Sequence, residues 1–306
     1  HKVNSSFYSH GKLLLTAEYL VLDGAEALAL PTTRGQKLTV TTTQDQGLRW
    51  KSELHDGSTW FETHFTLPIK DCAVPNGDIP QRLLTILQAA QELNPQFLQG
   101  QEGLIATSTL EFPRDWGLGS SSTLIANIAL WAQVNPYKLL EMTFGGSGYD
   151  IASATAQSAI TYQRTKSDPI VKSVTFDPDF KENIFFIHLN KKQNSRESIK
   201  HYRSLDSNLL LNEVSHFSQL TTAVKETKAL QAFEQLLTEH EERLSKIIKT
   251  PTIKSELFSD YPHLIKSLGG WGGDFIMVTG EALDMDFFKD KGFHTIIPYS
   301  ETILHL

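Results

Sequence analysis

The sequence predicts a globular protein that mixes helices with strands. Residues 37–43 alternate in polarity and are rich in β-branched side chains, which is typical of a strand. Residues 78–94 carry leucine, isoleucine and alanine at helical spacing, after Asp78 as a capping residue and before the stop signal Asn94-Pro95. Three glycine-rich loops lead into further helical or strand segments, and they carry the evidence about function.

The remaining elements follow from the same two periodicities. Residues 57–67 alternate between two faces, and the other predicted strands are 103–112, 158–164, 170–176, 184–189 and 275–279. An apolar stripe predicts a helix over 123–132, small residues predict one from Asp150 to Ala156, and residues 206–249 predict two or more helices. The chain has no internal repeat or low-complexity linker, and we place one domain boundary near Lys181, which gives domains 1–181 and 182–306.

Composition narrows the class of protein. The chain has 306 residues, of which 40% are hydrophobic and 21% charged, as in soluble globular proteins. The formal charge of −7 argues against a nucleic-acid-binding surface. The single cysteine, Cys72, excludes an intrachain disulfide and favours a reducing compartment. Because no apolar stretch of about 18 residues occurs, we expect a cytoplasmic protein that binds neither nucleic acid nor membrane.

The central loop, residues 113–122, reads PRDWGLGSSS and runs into the predicted helix. Glycines allow the backbone to approach a ligand closely, and a helix start offers N–H groups that bind phosphate oxygens. A capped helix after a tight turn is an equally good interpretation of this loop alone, since serine is a favoured N-cap. The loop is not a Walker A motif, because the Gly-Lys-Ser/Thr ending is missing.

The other two loops admit two interpretations each. Asp150 follows the loop 144–149, where it is either the N-cap of a helix or a base that accepts a proton from an attacking hydroxyl. The third loop has four glycines in five positions, Gly269, Gly270, Gly272 and Gly273. Such a cluster predicts close approach of the backbone to a ligand or to another loop.

In this order and at these separations, the loops resemble those of the GHMP kinases, a superfamily that includes galactokinase, homoserine kinase, mevalonate kinase and phosphomevalonate kinase. The superfamily's nucleotide loop, P-x-x-x-G-L-G-S-S, is matched at every fixed position, by Pro113, Gly117, Leu118, Gly119, Ser120 and Ser121. Its N-terminal motif is echoed by Gly11, Lys12, Leu15, Glu18 and Val21.

Two further segments carry the resemblance. The S-G-x-D-x-A element of mevalonate and phosphomevalonate kinases is matched by Ser147, Gly148, Asp150 and Ala152, and the string GYDIA at 148–152 is similar to the signature of a bacterial branch. Lys192 and Ser195 resemble a K-x-x-S segment on the acceptor side. The departures from the family motifs are Trp116, Gln157, Leu268, Trp271 and Phe275.

The resemblance implies an α+β, two-domain GHMP kinase fold. An N-terminal α/β domain carries the nucleotide loop, and a ferredoxin-like C-terminal domain carries the third glycine loop. It also implies ATP and Mg²⁺ as cofactors and a small-molecule acceptor as the partner. It leaves the oligomeric state open, with a homodimer as one alternative.

Site residues follow from the same resemblance. It implies that Gly117, Leu118, Gly119, Ser120, Ser121 and Ser122 hold the ATP phosphates. It implies that the Ser121 hydroxyl binds Mg²⁺, with Glu141 as the nearby candidate for a second ligand. Asp150 is expected to act as the base and Lys12 to stabilise the transferred phosphate.

The acceptor side is implied to consist of Glu18, Lys192, Ser195 and the glycines at 269, 270, 272 and 273, with the Trp271 indole narrowing it. Simpler interpretations stay open for three of the charged residues. Lys12 is otherwise a solvated lysine at a strand end, Glu18 a surface carboxylate, and Lys192 part of a solvated charged loop.

The sequence thus predicts an ATP-dependent kinase acting on a mevalonate-like, phosphomevalonate-like or sugar-like acceptor. The alternative is a nucleotide-binding protein of the same fold with little transfer activity, acting as a sensor or partner subunit. Retention of Lys12, Ser121 and Asp150 favours the kinase, whereas Trp116, Leu268 and Trp271 favour the alternative. A dinucleotide-binding domain is a weak third interpretation, because no G-x-G-x-x-G stands between a strand and a helix.

Overall fold

The computed structural model describes residues 4–100 and 102–305. The chain is 40% helical and 25% strand, which confirms the predicted mixture of helices and strands. The strands are β1 (Asn4–Leu14), β2 (Ala27–Thr43), β3 (Gly47–Glu53), β4 (Thr59–Phe65), β5 (Gly103–Leu110), β6 (Ile160–Gln163), β7 (Ile170–Ser173), β8 (Ile184–His188), β9 (Ile265–Ser267), β10 (Phe275–Thr279) and β11 (Ile296–Pro298). The α-helices are α1 (Asp78–Leu93), α2 (Ser120–Ala132), α3 (Pro136–Met142), α4 (Tyr149–Ala154), α5 (Ser195–Arg203), α6 (Ser207–Glu226), α7 (Leu230–Ile248), α8 (Ile253–Leu257), α9 (Asp286–Lys289) and α10 (Tyr299–Thr302).

Most predicted elements are confirmed to within a few residues, and the differences have local causes. The predicted helical region 206–249 is two helices, α6 and α7. Helix α5 was not predicted, because its residues are polar and show no apolar stripe. It begins where the side chain of Asn194 accepts hydrogen bonds from the backbone N–H groups of Arg196 and Glu197, which is an N-cap.

Contacts divide the chain into two compact units that alternate along the sequence. The first contains the chain through Gly11, Arg34–Arg114 and Gly119–Thr155. The second contains Lys12–Thr33, Asp115–Leu118 and the chain from Ala156 onward. The boundary predicted near Lys181 concerns family domains, and it stays a prediction.

In the first unit, strands lie in the order β4-β3-β5-β2. β5 is parallel to β3 and antiparallel to β2, so its neighbours run in opposite directions. The inward side chains, such as Leu38, Leu48 and Trp50, alternate with polar residues and pack with α1 to α4 into one apolar core. This packing places the start of α2 and the start of α4 in the same unit.

In the second unit, a four-stranded antiparallel sheet has the order β11-β8-β10-β9. Helices α5 to α8 follow β8, and α9 precedes β11, so the chain order is βαββαβ. This connectivity is the ferredoxin-like arrangement, as predicted for the C-terminal part. Ala27–Ala29 of β2 pair with β6, which pairs with β7. Among the described residues, no helix combines the length and the apolar character that crossing a membrane requires.

We predict that the core of the first unit depends on the buried face of α1. Leu87 is fully buried on this helix, so Leu87→Ala should lower the free energy of unfolding by about 2–5 kcal/mol through lost burial and a residual cavity. Arg82→Ala, on the exposed face of the same helix, is the matched control. Urea denaturation measures both variants, and equal effects would contradict this account of the core.

Candidate active site

The residues predicted to act together lie in both compact units. In the first, the start of α2 lacks a capping side chain. Gly119 is the N-cap residue, in the left-handed conformation at φ 89°, and Ser120 to Ser122 form the first turn. Serine therefore does not cap this helix, and the interpretation of these serines as caps is wrong. The first N–H groups of a helix lack intrahelical partners and lie at the positive end of its dipole. In α2 no capping side chain covers them.

The sheet fixes this helix start in place. Gln36, on β2, donates from Nε2 to the Ser120 carbonyl oxygen at 3.1 Å and to Thr123 Oγ1 at 2.9 Å. Its Oε1 accepts a hydrogen bond from Ser108 Oγ of β5 at 3.1 Å. The first turn of α2 is thereby tied to two strands by one buried amide, which pre-positions its backbone.

Asp150 lies beside this turn. The N-cap of α4 is Gly148, and no side chain caps it, so the interpretation of Asp150 as the cap is wrong. Its Oδ2 instead accepts a hydrogen bond from the Ser122 hydroxyl, while Oδ1 accepts one from the backbone N–H of Ile151. Burial, and to a lesser degree the Asp150 charge, raises the pKa of Tyr137 to about 12, so a neutral phenol stands near the carboxylate.

In the second unit, Lys12 is bound to the first part of the nucleotide loop. Its Nζ donates to the Gly117 carbonyl oxygen at 2.9 Å, and its backbone N–H donates to Leu118 at 3.1 Å. The side chain is half-buried. Lys12 is therefore not a solvated lysine at a strand end, and its role toward a phosphate stays a prediction.

The third glycine loop is close to another part of the same unit. A Cβ atom at Gly270 would lie 2.9 Å from Gln193 Cγ, and one at Gly273 would lie 2.8 Å from the Gln193 backbone nitrogen. Gly269 and Gly272 adopt positive φ angles of 62° and 100°. Of the two interpretations of this cluster, approach to another loop accounts for Gly270 and Gly273, and backbone conformation accounts for the others.

Glu18 is not where the sequence analysis expected it. It is 1% exposed and forms an ion pair with Lys266, whose Nζ lies 2.6 Å from Glu18 Oε2 and 3.7 Å from Glu241 Oε1. Glu241 also accepts the backbone N–H of Ser267 at 2.9 Å. The carboxylate is thus neither on the surface nor available to a substrate, and both predictions for it are wrong.

A buried group of two carboxyl side chains and one amine is formed by Glu18, Glu241 and Lys266. Burial raises the pKa of Glu18 to about 7 and raises that of Glu241, and the Lys266 charge opposes both shifts. His240, the residue before Glu241 in α7, accepts the Ala17 backbone N–H at 2.8 Å, and burial holds its pKa well below its usual range. The group connects the N-terminal motif to the base of the third glycine loop.

The prediction that Trp271 narrows an acceptor site is also wrong. Its indole is buried, at 5% exposure, and its backbone N–H donates to Tyr19 Oη at 2.9 Å. Two other departures from the family motifs contact each other: Trp116 packs edge-to-face on Phe275, with ring centroids 5.3 Å apart. The two large side chains at these positions therefore pack against each other.

The remaining predicted residues are exposed. Lys192 and Ser195 lie near the start of α5, and Glu141 lies on α3. Ser121 is exposed, whereas Ser122 is buried against Asp150. Within residues 4–100 and 102–305, no group of three or more His, Cys, Asp or Glu side chains is arranged to hold a metal ion. The assignments of these residues stay predictions.

Sequence comparison matches no protein-family model and no curated protein. Solved structures nevertheless have the same fold. Mevalonate kinase from Methanococcus jannaschii superposes with a TM-score of 0.70 at 16% identity, over 100% of this chain and 99% of that one. Streptococcus pneumoniae phosphomevalonate kinase in complex with phosphomevalonate and AMPPNP gives 0.66 at 15%, over 94% and 95%. Lactococcus lactis galactokinase complexed with galactose gives 0.69 at 12%, over 99% and 95%.

These proteins are members of the GHMP kinase superfamily, and the chain has the fold they share. The predicted fold is therefore confirmed over nearly the whole length.

We predict that Glu18 makes stability fall as the pH rises. Its folded-state pKa of about 7 exceeds the ordinary 4.5, so the folded protein holds this proton more tightly than the unfolded chain does. The contribution is full below about pH 4.5 and is lost as the pH rises through about 7. The free energy of unfolding of the wild type, minus that of Glu18→Gln, should fall by about 3 kcal/mol between pH 4.5 and 8.

Subtraction cancels the contribution of His240, whose lowered pKa acts in the opposite direction. The control is Glu256→Gln, at an exposed glutamate on α8. A flat difference for Glu18→Gln would contradict the buried, partly protonated carboxyl.

Proposed function

We propose that the protein is an ATP-dependent kinase that phosphorylates a small metabolite. The observation that carries this proposal is the uncapped start of α2 behind Gly117-Leu118-Gly119, where a glycine stands in place of a capping side chain. The fold supports it, since the solved structures that share it include kinases named for mevalonate, phosphomevalonate and galactose. We propose a cytoplasmic location as well, which the single cysteine favours.

Binding of ATP would rest on the loop backbone. The N–H groups of Ser120 to Ser122, at the positive end of the α2 dipole, would donate to phosphate oxygens. Lys12 has three donors on its ammonium, one of which binds the Gly117 carbonyl oxygen. It would stabilise the charge that develops on the transferred phosphoryl group.

Two side chains, Ser121 and Glu141, carry oxygen atoms of the kind that bind a magnesium ion. Hydroxyl and carboxylate oxygens are ligands that Mg²⁺ accepts, and it commonly takes only one or two from the protein. Ser121 is the exposed serine of the first turn, while Ser122 is committed to Asp150. Ser121 would hold the ion, with Glu141 as a candidate for a second ligand. When bound, Mg²⁺ supplies neutralisation of phosphate charge.

Asp150 would orient the acceptor hydroxyl and accept its proton. Both of its oxygens already receive hydrogen bonds, from the Ser122 hydroxyl and the Ile151 backbone N–H, so the carboxylate has a fixed orientation. A carboxylate oxygen has two lone pairs, which leaves capacity for a third donor. The proton of the acceptor hydroxyl would pass to this carboxylate as the oxygen attacks the γ-phosphorus and the bond to ADP breaks.

The direct test is release of ADP from Mg-ATP in the presence of mevalonate, phosphomevalonate, homoserine or galactose. A kinase releases ADP with one class of acceptor well above the rate without acceptor. Tight ATP binding without acceptor-dependent release would favour the alternative, a nucleotide-binding protein with little transfer activity. Absence of ATP binding would overturn both.

We predict that Gly119→Val abolishes ATP binding while the protein stays folded. Valine places a branched side chain at φ 89°, at the point where the phosphates would approach the helix start. Gly57→Val is the matched control, because it imposes similar backbone strain at φ 84° in a turn outside the loop. Calorimetry measures ATP affinity in both. Unchanged affinity in Gly119→Val would sink the assignment of this loop.

Replacing Asp150 by asparagine should lower turnover by about 10²–10⁴-fold, because asparagine cannot accept the proton. ATP affinity should change little, since the phosphates are held mainly by backbone groups. Asparagine keeps the shape of the side chain and an oxygen that accepts the Ser122 hydroxyl. Steady-state kinetics and calorimetry on the same preparation separate the two effects, and a fully active Asp150→Asn would show that this carboxylate is structural.

A further inference from the structure

Asp274 ends the third glycine loop, and its backbone is held firmly in an unusual conformation. Its φ angle is 55°, in the left-handed region. Its N–H donates to the Lys191 carbonyl oxygen at 2.8 Å, and its own carbonyl oxygen accepts the Leu189 N–H at 2.8 Å. The Gln193 N–H donates to Oδ1 at 3.0 Å. Three hydrogen bonds from residues 189–193 therefore fix both the backbone and the carboxylate.

The carboxylate lies against Gly117 of the nucleotide loop. A Cβ atom built at Gly117 would overlap all three atoms of the Asp274 carboxyl group, and Gly117 itself has a φ of 72°. Glycine at this position is thus required by a protein side chain, independently of any ligand. The same residue offers its carbonyl oxygen to Lys12 Nζ at 2.9 Å.

Asp274 is surrounded by cationic groups. Burial raises its pKa, and the charges that oppose this shift are, in order, Lys12, Lys192 and His188, after the Gln193 hydrogen bond. His188 itself contacts the carbonyl oxygen of Asp115 through Nε2 at 2.9 Å. A partly buried carboxylate near these groups is stabilised by the two ammonium charges.

We propose that Asp274 is a positioning residue, which holds the Lys12 ammonium against the Gly117 turn and so presets the phosphate-binding loop. Its charge attracts the Lys12 ammonium, whose Nζ donates to the carbonyl oxygen of the same Gly117 that the Asp274 carboxyl group contacts. One carboxylate against the two ammonium groups of Lys12 and Lys192 leaves a net positive charge for a phosphate. The proposal concerns a residue for which the sequence analysis predicted no role.

The first test measures Lys12 directly and does not depend on catalysis. Competitive labelling of the intact protein with acetic anhydride from pH 7 to 11, read by peptide mass spectrometry, gives the reactivity of this amine. In Asp274→Asn, Lys12 should label up to about tenfold faster at pH 8, because loss of the anion favours the neutral amine. Asn tolerates the left-handed conformation and still accepts the Gln193 N–H. Asp290→Asn, at the exposed end of α9, is the control. Coincident Lys12 profiles for Asp274→Asn and wild type overturn the proposal.

The second test examines the steric contact. Gly117→Ala should lower the melting temperature of the wild type more than it lowers that of Asp274→Gly, because removal of the carboxyl group makes room for the added methyl. Strain from the positive φ at residue 117 is common to both backgrounds and cancels. Equal losses in the two backgrounds contradict the contact.

A kinetic test rests on the proposed function. Turnover of Asp274→Asn should fall by about tenfold, because Lys12 is held less firmly where it would meet the transferred phosphate, while ATP affinity should change little, since the phosphates are held mainly by backbone N–H groups. Weaker ATP binding with unchanged turnover overturns the proposal. If no acceptor yields ADP even with the wild type, the proposed function fails, and the labelling test still decides the role of Asp274.

Discussion

The start of α2 is the constraint on which the account of this protein depends. A helix leaves its first N–H groups without intrahelical partners, and most helices satisfy some of them with a side chain at the N-cap. Here the N-cap is Gly119, which has none. The serine that sequence preference would assign to capping, Ser122, is instead bonded to Asp150. Gly119 leaves the helix start without a capping side chain, and the hydrogen bonds of Gln36 hold its first turn against the sheet.

The glycines of the two loops have distinct physical causes. In the second unit, Gly117 makes room for the Asp274 carboxyl group, and Gly270 and Gly273 make room for Gln193. Glycines in such a motif therefore accommodate close contacts with protein side chains as well as the close approach of a ligand. The loop conformations are set by packing within the protein, so a ligand would meet a surface that is already formed.

Much of the fold could be predicted from local patterns. Period-two alternation located β2 and β4, and helical spacing with a stop at Asn94 located α1. The loop Gly117–Ser122 and Asp150 could be proposed as site residues because each motif is contiguous in the sequence, and their roles stay predictions. By contrast, Lys266 binds Glu18 across 248 positions, and no local pattern marks such a pair.

The same limit explains the errors. Glu18 was placed on the acceptor side through the family resemblance, whereas burial and its ion pair with Lys266 place it in the interior. Trp271 was given a role from its position in a loop, and its burial could not be inferred from neighbouring residues. Asp274 carried one local signal, an aspartate directly after glycines, which are residue types that tolerate left-handed backbone.

The most direct measurement is a crystal structure of the protein grown with Mg²⁺ and a non-hydrolysable ATP analogue. The account predicts that the triphosphate lies at the start of α2, with its oxygens accepting hydrogen bonds from the backbone N–H groups of Ser120 to Ser122. A triphosphate bound elsewhere on the protein, with this helix start in contact with solvent, would contradict it.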